Sequence, residues 1–220
     1  MQNTHQKSHK KLVTLILLLL AGLAAIVIYF GVLQPHKSVN VAQIDGLVLP
    51  MPKDISDFKL TDNAGQAFTK DSLKGRWTLM FFGFTNCGMV CPTTMSALNK
   101  MYATLATDLP REKMPQVVMV SVDPDRDSVQ RMNEYVTSFN PHFIGARAEL
   151  SQIETLEKEL HLVAVKMDVE GQAKDHYTIN HSTEILVFNP NGQLQAYMSS
   201  PHQPEQMVKD FQAMLMTSTS

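Results

Sequence analysis

Cysteine is scarce in this chain of 220 residues, which contains two cysteines and one tryptophan. Two cysteines are too few for a disulfide-dense secreted scaffold, or for a zinc or iron–sulfur site built from four cysteines. Charged residues are also few, at 18% of the sequence, and the formal net charge of −2 gives no support to nucleic-acid binding. No acidic residue occurs before Asp45, whereas three lysines lie within residues 1–11. The beginning of the chain is therefore basic and the remainder is mildly acidic.

A long uncharged apolar run extends from Leu12 to Leu33. As a helix that rises about 1.5 Å per residue, it is long enough to cross a hydrocarbon core of roughly 30 Å. A cleavable signal peptide has a shorter apolar region of roughly 7–15 residues, followed by a site with small residues. The preceding lysines place the N-terminus in the cytoplasm by the positive-inside rule. We therefore expect a cytoplasmic segment over residues 1–11, an uncleaved membrane anchor over residues 12–33 and a tether over residues 34–50.

The next segment, residues 51–216, has the composition of one folded domain, with strand and helix patterns that alternate. Nearly continuous apolar runs at Trp77–Phe84 and Gln116–Val122 predict strands that are buried on both faces. A helical pattern follows each run, and Asp123 is positioned to cap the second of these helices. Ser151, with Glu154 three residues later, predicts a capping box. A hairpin and a helix end the pattern, so we expect an α/β domain with helices on both faces of a central mixed sheet.

Both cysteines lie where the first buried strand is expected to meet its helix. Cys87 and Cys91 are separated by three residues, and Pro92 suits the first helical turn that follows. A spacing of four positions in a helix brings two side chains to one face, about 5–6 Å apart at Cβ. The positive end of the helix dipole lowers the pKa of a thiol there. A strand that leads a cysteine pair into a helix start is the thioredoxin-like arrangement, and its thiolates can bind a soft metal or exchange with disulfides.

Three alternatives to a metal site are compatible with a cysteine pair. They are a thiol-disulfide oxidoreductase, a structural disulfide and a peroxidase. Redox motifs of the thioredoxin type have two residues between the cysteines, so a spacing of three favours metal binding over a general disulfide catalyst. A structural disulfide stays open, although a loop of about five residues would restrict the unfolded chain little. A peroxidase of the same fold has threonine three positions before its cysteine, and Phe84 and Gly88 occupy those positions here.

A third donor beside two thiolates would complete a trigonal site for Cu(I), which prefers sulfur. The chain has eight histidines, and His181 directly precedes the predicted strand Glu184–Phe188, which would lie beside the cysteine loop. His176 and His202 lie in polar stretches and are expected to be solvated. Because a lone histidine in a loop is usually a surface residue, these patterns alone leave the role of His181 open.

Three segments of the sequence resemble the Sco (SenC) family of membrane-anchored, thioredoxin-like copper chaperones. They are Phe82–Thr94 with both cysteines, Val120–Asp127, and the stretch from His181 to Gly192. The resemblance implies that Cys87, Cys91 and His181 bind copper, as Cu(I), Cu(II) or both. It also implies delivery of copper to the copper A centre of cytochrome c oxidase or to another periplasmic cuproprotein. Some members act as thiol-disulfide reductants, and the resemblance therefore implies partners of that kind as well.

This chain departs from the usual family pattern near the proposed ligands. Gly88 and Met89 replace the common proline and aspartate, and Asn180 replaces an aspartate before the histidine. These changes remove negative charge that would favour a bound cation. Met89 either adds a thioether donor or, as we expect, fills a gap in the core. Residues 1–11 contain no arginine, unlike a mitochondrial targeting sequence. We therefore expect a protein of the bacterial inner membrane with its folded domain in the periplasm.

Overall fold

The structure, a computed structural model, describes residues 15–24, 26, 44–168 and 177–217. The chain divides into two units, Met1–Asn40 and Val41–Ser220. In the first unit, residues 15–24 form a helix, α1, and their side chains are exposed. The membrane anchor expected over residues 12–33 lies partly outside the described residues. Within the part of the chain that is described, no helix has the length and apolar character needed to cross a membrane.

The second unit carries the remaining strands and helices. Its described elements are, in chain order, β1 (Gly46–Lys53), β2 (Lys59–Asp62), β3 (Ala67–Thr69), β4 (Thr78–Gly83), α2 (Val90–Asp108), β5 (Gln116–Ser121), α3 (Val129–Phe139), β6 (Ile144–Arg147), α4 (Leu150–Glu159), β7 (Ala164–Asp168), β8 (Tyr177–His181), β9 (Ile185–Phe188), β10 (Leu194–Met198) and α5 (Pro204–Thr217).

Eight of these strands form one mixed sheet, as predicted. Their order is β1-β10-β9-β4-β5-β6-β2-β3, with β4, β5 and β6 parallel and the other neighbours antiparallel. All six residues of β4 and all six of β5 are buried, which explains their nearly continuous apolar sequences. The strands β7 and β8 form a separate antiparallel pair.

Strand β1 overlaps the range that we expected to be a tether. It pairs antiparallel with β10, with Leu47 opposite Tyr197. Most of its side chains are exposed or only partly buried. The strand is therefore held by backbone pairing at the sheet edge, and its side chains give little periodic signal in the sequence.

Two predicted helix starts are wrong. Helix α3 begins at Val129 rather than at Asp123, and the side chain of Ser128 caps it by accepting a hydrogen bond from the backbone N–H of Arg131. The side chain of Asp123 is engaged elsewhere, since it accepts hydrogen bonds from Tyr177 and Arg126. Helix α4 begins at Leu150 without a side-chain cap, which places Ser151 inside the first turn and leaves no capping box.

Candidate metal centre

The two cysteines occupy different environments at the junction of β4 and α2. Cys91 lies in the first turn of α2 and is completely buried, whereas Cys87 lies in the preceding loop and is half-buried. The backbone N–H of Cys91 donates to Sγ of Cys87 at 3.4 Å. The sulfur of Cys87 therefore faces a backbone donor at the helix start, where negative charge is favoured.

The thiols differ strongly in acidity. The pKa of Cys87 is lowered to about 4, mainly by a hydrogen bond from the Cys91 side chain, with a further contribution from His181. The same bond to Cys87, together with burial, raises the pKa of Cys91 far above that of an ordinary thiol. Without metal, the pair therefore consists of a Cys87 thiolate and a Cys91 thiol that donates to it.

His181 completes the centre from a distant part of the chain. It is the last residue of β8, and its Nε2 atom lies 3.4 Å from Sγ of Cys91. Its Nδ1 atom lies 2.7 Å from the carbonyl oxygen of Ser182, which accepts a hydrogen bond from that nitrogen. The ring also packs edge-to-face on Phe84, with 5.8 Å between the ring centroids. Nε2 is thus left with its lone pair directed toward the thiols, as a metal ligand requires.

The pKa of His181 reflects opposing influences. Burial of the ring lowers the pKa, whereas hydrogen bonds to Cys87 and to the Ser182 carbonyl raise it, and the net shift is upward. An imidazolium at this position would pair with the Cys87 thiolate in the metal-free protein. A metal and a proton exclude each other at Nε2, so metal binding weakens as the ring becomes protonated.

The three side chains form a compact donor set. The two sulfurs and the imidazole nitrogen all lie within 4.8 Å of one another, and among the described residues this is the one group of three or more cysteine, histidine or acidic side chains that is so close. Two thiolates and one imidazole suit a soft cation in trigonal coordination, as copper adopts. The structure thus brings together all three side chains that the sequence analysis named.

A buried carboxylate holds the loop before Cys87. Asp127 is completely buried and accepts hydrogen bonds from the backbone N–H and hydroxyl of Thr85 and from the hydroxyl of Ser121. Asp127 precedes the first residue of α3 by two positions, so its charge also suits the positive end of that helix. The main role is to join the end of β5 to the loop that carries Cys87.

Arg131 reinforces the same loop and was missed by the sequence analysis. Its Nε atom donates to the hydroxyl of Thr85 at 2.6 Å, and its Nη2 atom donates to the side-chain oxygen of Asn86. More than forty positions separate Arg131 from these residues, so no local pattern in the sequence indicates the contact.

The loop that follows His181 is held from two sides. The backbone N–H of Ser182 donates to the carbonyl of Val163 at 2.8 Å, and the hydroxyl of Ser182 accepts from the N–H of Val163. On the other side, Nε2 of His202 donates to the carbonyl of Thr183 at 2.8 Å. The expectation that His202 is solvated is therefore wrong, while His176 lies outside the described residues.

The departures from the family pattern at Gly88, Met89 and Asn180 are exposed. Met89 is 76% exposed, and Val90, which follows it in the chain, is also exposed. The expectation that Met89 fills a gap in the core is wrong, because the loop directs it outward. Met89 and Val90 thus add exposed apolar side chains to the segment between the two cysteines.

Together, the mixed sheet, the cysteine pair at the start of α2 and the histidine at the end of β8 define a thioredoxin-like protein with a thiol–imidazole metal site. The chain belongs to the SCO1/SenC family, whose sequence profile matches residues 50–216.

Relatives of known name support this membership. A Stutzerimonas stutzeri protein named for copper binding is 34% identical over 170 residues, which cover 77% of this chain and 80% of that protein. A mitochondrial SCO2 homologue of Homo sapiens is 32% identical over 69% of this chain and 56% of its own length. A mitochondrial SCO2 homologue of Mus musculus is 32% identical over 70% of this chain and 59% of its own length. The chain therefore spans a little over half of the length of the two mammalian relatives.

Solved structures show the same architecture. The copper-bound ScoI of Bradyrhizobium japonicum is 30% identical, with a TM-score of 0.63 over 71% of this chain and 96% of that chain. The apo Sco1 of Thermus thermophilus is 28% identical, with a TM-score of 0.67 over 78% of this chain and 96% of that chain.

Proposed function

We propose that this protein is a copper chaperone that holds copper through Cys87, Cys91 and His181. The observation that carries the proposal is the convergence of the three donor atoms within 4.8 Å of one another. Relatives that are named for copper binding, or solved with copper bound, support the choice of metal. The client that we propose is the copper A centre of cytochrome c oxidase, or another cuproprotein on the same side of the membrane.

The proposed location follows from the first 50 residues. Residues 1–11 would lie in the cytoplasm, residues 12–33 would anchor the chain in a bacterial inner membrane, and the following residues would tether the domain up to strand β1. The domain, residues 51–216 with β1 added at its edge, would then lie in the periplasm. A tether of this length reaches tens of ångströms at most, so it keeps the metal centre near membrane-bound clients.

The difference in burial between the two cysteines suggests how copper leaves. Cys87 is half-buried and Cys91 is completely buried. A ligand from the acceptor protein can therefore reach the metal at Cys87 first and replace that thiolate. Cys91 and His181 would hold the copper until a second acceptor ligand arrives, so that the ion is never released into solution.

An anaerobic Cu(I) titration of the reduced full chain against a chromophoric chelator tests this function. We expect one tight site that weakens strongly in Cys87→Ser, in Cys91→Ser and, to a smaller extent, in His181→Ala. His142→Ala is the matched control, because His142 is exposed in a different loop. Binding that is absent, or that is equal in the wild type and in the cysteine variants, would refute the proposal.

A dedicated thiol-disulfide reductase is the second candidate, and the unequal thiols favour it. The Cys87 thiolate would attack one sulfur of a partner disulfide and release the other partner sulfur as a thiolate. Cys91 would then attack the mixed disulfide and release the second partner thiol. The products are a reduced partner and a Cys87–Cys91 disulfide, which a separate thiol reductant must reduce again.

The two functions make different predictions for trapping and for metal binding. A reductase with Cys91→Ser accumulates a mixed disulfide at Cys87, which non-reducing electrophoresis and mass spectrometry detect. Because a Cys87–Cys91 disulfide removes both thiolates, an oxidised chaperone is expected to lose tight Cu(I) binding. Tight binding that persists after verified oxidation would contradict the assignment of the ligands.

A further inference from the structure

A second, separate cavity lies next to the hairpin that carries His181. It has a volume of about 120 Å³ and is enclosed by α4, by the β7–β8 pair and by the turn that follows β5. None of the three proposed copper ligands lines it, and its apolar lining residues are Val122, Pro124, Leu150, Ala164 and Ile179. A cavity of this volume accommodates about four water molecules at roughly 30 Å³ each.

Glu157 on α4 is an unusual member of this lining. The residue is only 6% exposed, and its Oε1 atom is buried without a hydrogen-bond partner. Burial, together with the charge of Glu154, raises the pKa of Glu157 to about 7. A buried carboxylate without a partner is unfavourable by several kcal/mol on the usual scale, and either a proton or a bound cation removes that cost.

The remaining polar groups of the cavity are mostly acidic. Glu154 precedes Glu157 by one turn and therefore shares its side of α4, and Asp125 lines the cavity from the turn after β5. Asp123 also lines it, but its two oxygens already accept hydrogen bonds from Arg126 and Tyr177. Among the residues that the structure describes, the carboxylates of Glu157, Glu154 and Asp125 have no ion-pair partner.

One basic side chain also lines the cavity. The Nζ atom of Lys166 lies 3.5 Å from the centroid of the Tyr177 ring, and Arg126 contacts the same ring at 3.6 Å. Among the described residues, Lys166 makes no ion pair with a cavity carboxylate. This amine is therefore not in direct contact with the acidic groups.

We propose that the cavity binds one hard divalent cation, of the class of Mg²⁺, Ca²⁺ or Mn²⁺. Glu157 and Glu154 would supply two carboxylates that balance its charge, and water molecules, one of them hydrogen-bonded to Asp125, would fill the remaining coordination positions. Such cations take oxygen ligands, and the cavity has room for an ion with several of its waters. The site contains no sulfur or imidazole, and therefore differs in chemistry from the copper centre.

The position of this site gives the cation a structural role. Tyr177 and Ile179 of β8 form part of the cavity wall, and His181 ends the same strand. A cation held by α4 would therefore join that helix to the hairpin that carries the third copper ligand. Occupancy is expected to restrict the motion of the hairpin, independently of whether copper is bound.

Titration with Mn²⁺, followed by electron paramagnetic resonance of the free ion, tests the proposal in the reduced full chain. We expect one saturable site with a dissociation constant of about 1 mM or tighter, in the range of weak carboxylate sites. Glu157→Gln should weaken binding about tenfold or more, and Mg²⁺ or Ca²⁺ should compete. Glu205→Gln is the matched control, because Glu205 is exposed on α5, and it should bind Mn²⁺ like the wild type.

Two further variants separate this site from the copper centre. Cys87→Ser should leave Mn²⁺ binding unchanged, because hard cations avoid thiolates. Circular dichroism should show that Glu157→Gln remains folded, since removing a buried charge is not expected to disrupt α4. No saturable Mn²⁺ binding, equal binding in Glu157→Gln, or loss of binding in Cys87→Ser would each overturn the proposal.

Discussion

The Nε2 atom of His181 lies 3.4 Å from Sγ of Cys91, although ninety positions separate these residues in the chain. The contact exists because the end of β8 lies directly beside the first turn of α2. Neither residue reaches the other through local structure, so the site depends on how two loops are held.

A side chain added at Gly83 is expected to disturb the metal centre, because Gly83 lies against the Cys91 thiol. An added Cβ at this position would lie 2.8 Å from Sγ of Cys91 and 2.8 Å from a ring carbon of Phe81. Gly83→Ala is therefore expected to displace the Cys91 thiol and to lower the free energy of unfolding by about 1–3 kcal/mol, as overpacking does. Denaturant unfolding followed by the fluorescence of Trp77, and Cu(I) competition, measure the two effects. Gly88→Ala is the control, because a Cβ there meets nothing within 4 Å, and equal losses in the two variants would contradict the prediction.

Asp127 holds the loop that carries Cys87 by accepting hydrogen bonds from Thr85. Asp127→Asn retains the volume but replaces one accepting oxygen by an amide that cannot accept from Thr85 or Ser121. We expect the free energy of unfolding to fall by about 1–3 kcal/mol, the range for a buried polar group that loses its partner. The measurement is the shift of the denaturation midpoint. Asp57→Asn, at an exposed position, should leave that midpoint within error, and a tolerated Asp127→Asn would show that the loop does not depend on this carboxylate.

Cys87 should react as a thiolate throughout the neutral range. Its pKa is lowered to about 4 by the hydrogen bond from Cys91, so the charged form persists as the pH falls and is lost only near that value. The rate of alkylation by iodoacetamide at Cys87 should therefore be nearly constant between about pH 6 and 8, where an ordinary thiol gains about tenfold per unit. Mass spectrometry of the labelled peptide measures the rate and should find buried Cys91 unmodified.

Two variants of Cys91 test the cause of this acidity. Cys91→Ser keeps a hydroxyl donor toward Cys87, whereas Cys91→Ala removes the donor. The flat pH profile should persist in Cys91→Ser, and the rate should begin to depend on pH in Cys91→Ala. A wild-type rate that rises tenfold per unit near neutral pH would show that Cys87 is an ordinary thiol.

His202 should position the loop behind His181. The hydrogen bond from His202 to the Thr183 carbonyl contributes about 1 kcal/mol of net stabilisation on the usual scale, and the substitution His202→Ala removes this bond. We expect faster hydrogen exchange in the segment from Ser182 to Glu184, and recovery in His202→Gln, whose amide can donate in place of the ring.

The pKa of His202 predicts that the free energy of unfolding depends on pH. Burial lowers the pKa of His202, so the folded protein favours the neutral ring. The contribution of the neutral ring to the free energy of unfolding is fully present above about pH 6.5, the pKa of histidine in the unfolded chain. It is lost as the pH falls through the lower pKa that His202 has in the folded protein. His202→Ala should remove this part of the acid dependence of unfolding, whereas exposed His142→Ala should retain it. Identical acid profiles for His202→Ala and the wild type would exclude His202 as the titrating group.

Much of the fold was predictable because its signals are local. The apolar runs that became β4 and β5 could be interpreted as buried strands, and Cys87, Cys91 and Pro92 indicated the strand-to-helix junction. Predictions failed where a side chain has a distant partner. Asp123 resembles a helix cap in sequence, but Tyr177, 54 positions later, takes up one of its oxygens. Strand β1 gave no signal, because backbone bonds to β10 hold it rather than a buried face.

The sequence by itself determined the class of domain, the family and the two thiols, because hydrophobic periodicity and cysteine spacing act over a few residues. It also singled out His181, but only through the resemblance of its surrounding residues to a known family. The tertiary structure alone decided that His181 faces Cys91, that Asp127 and Arg131 hold the cysteine loop, and that Glu157 lines a second cavity. The physical reason is that hydrogen bonds, burial and charge act between neighbours in space, and the order of strands in the sheet determines which distant residues become neighbours.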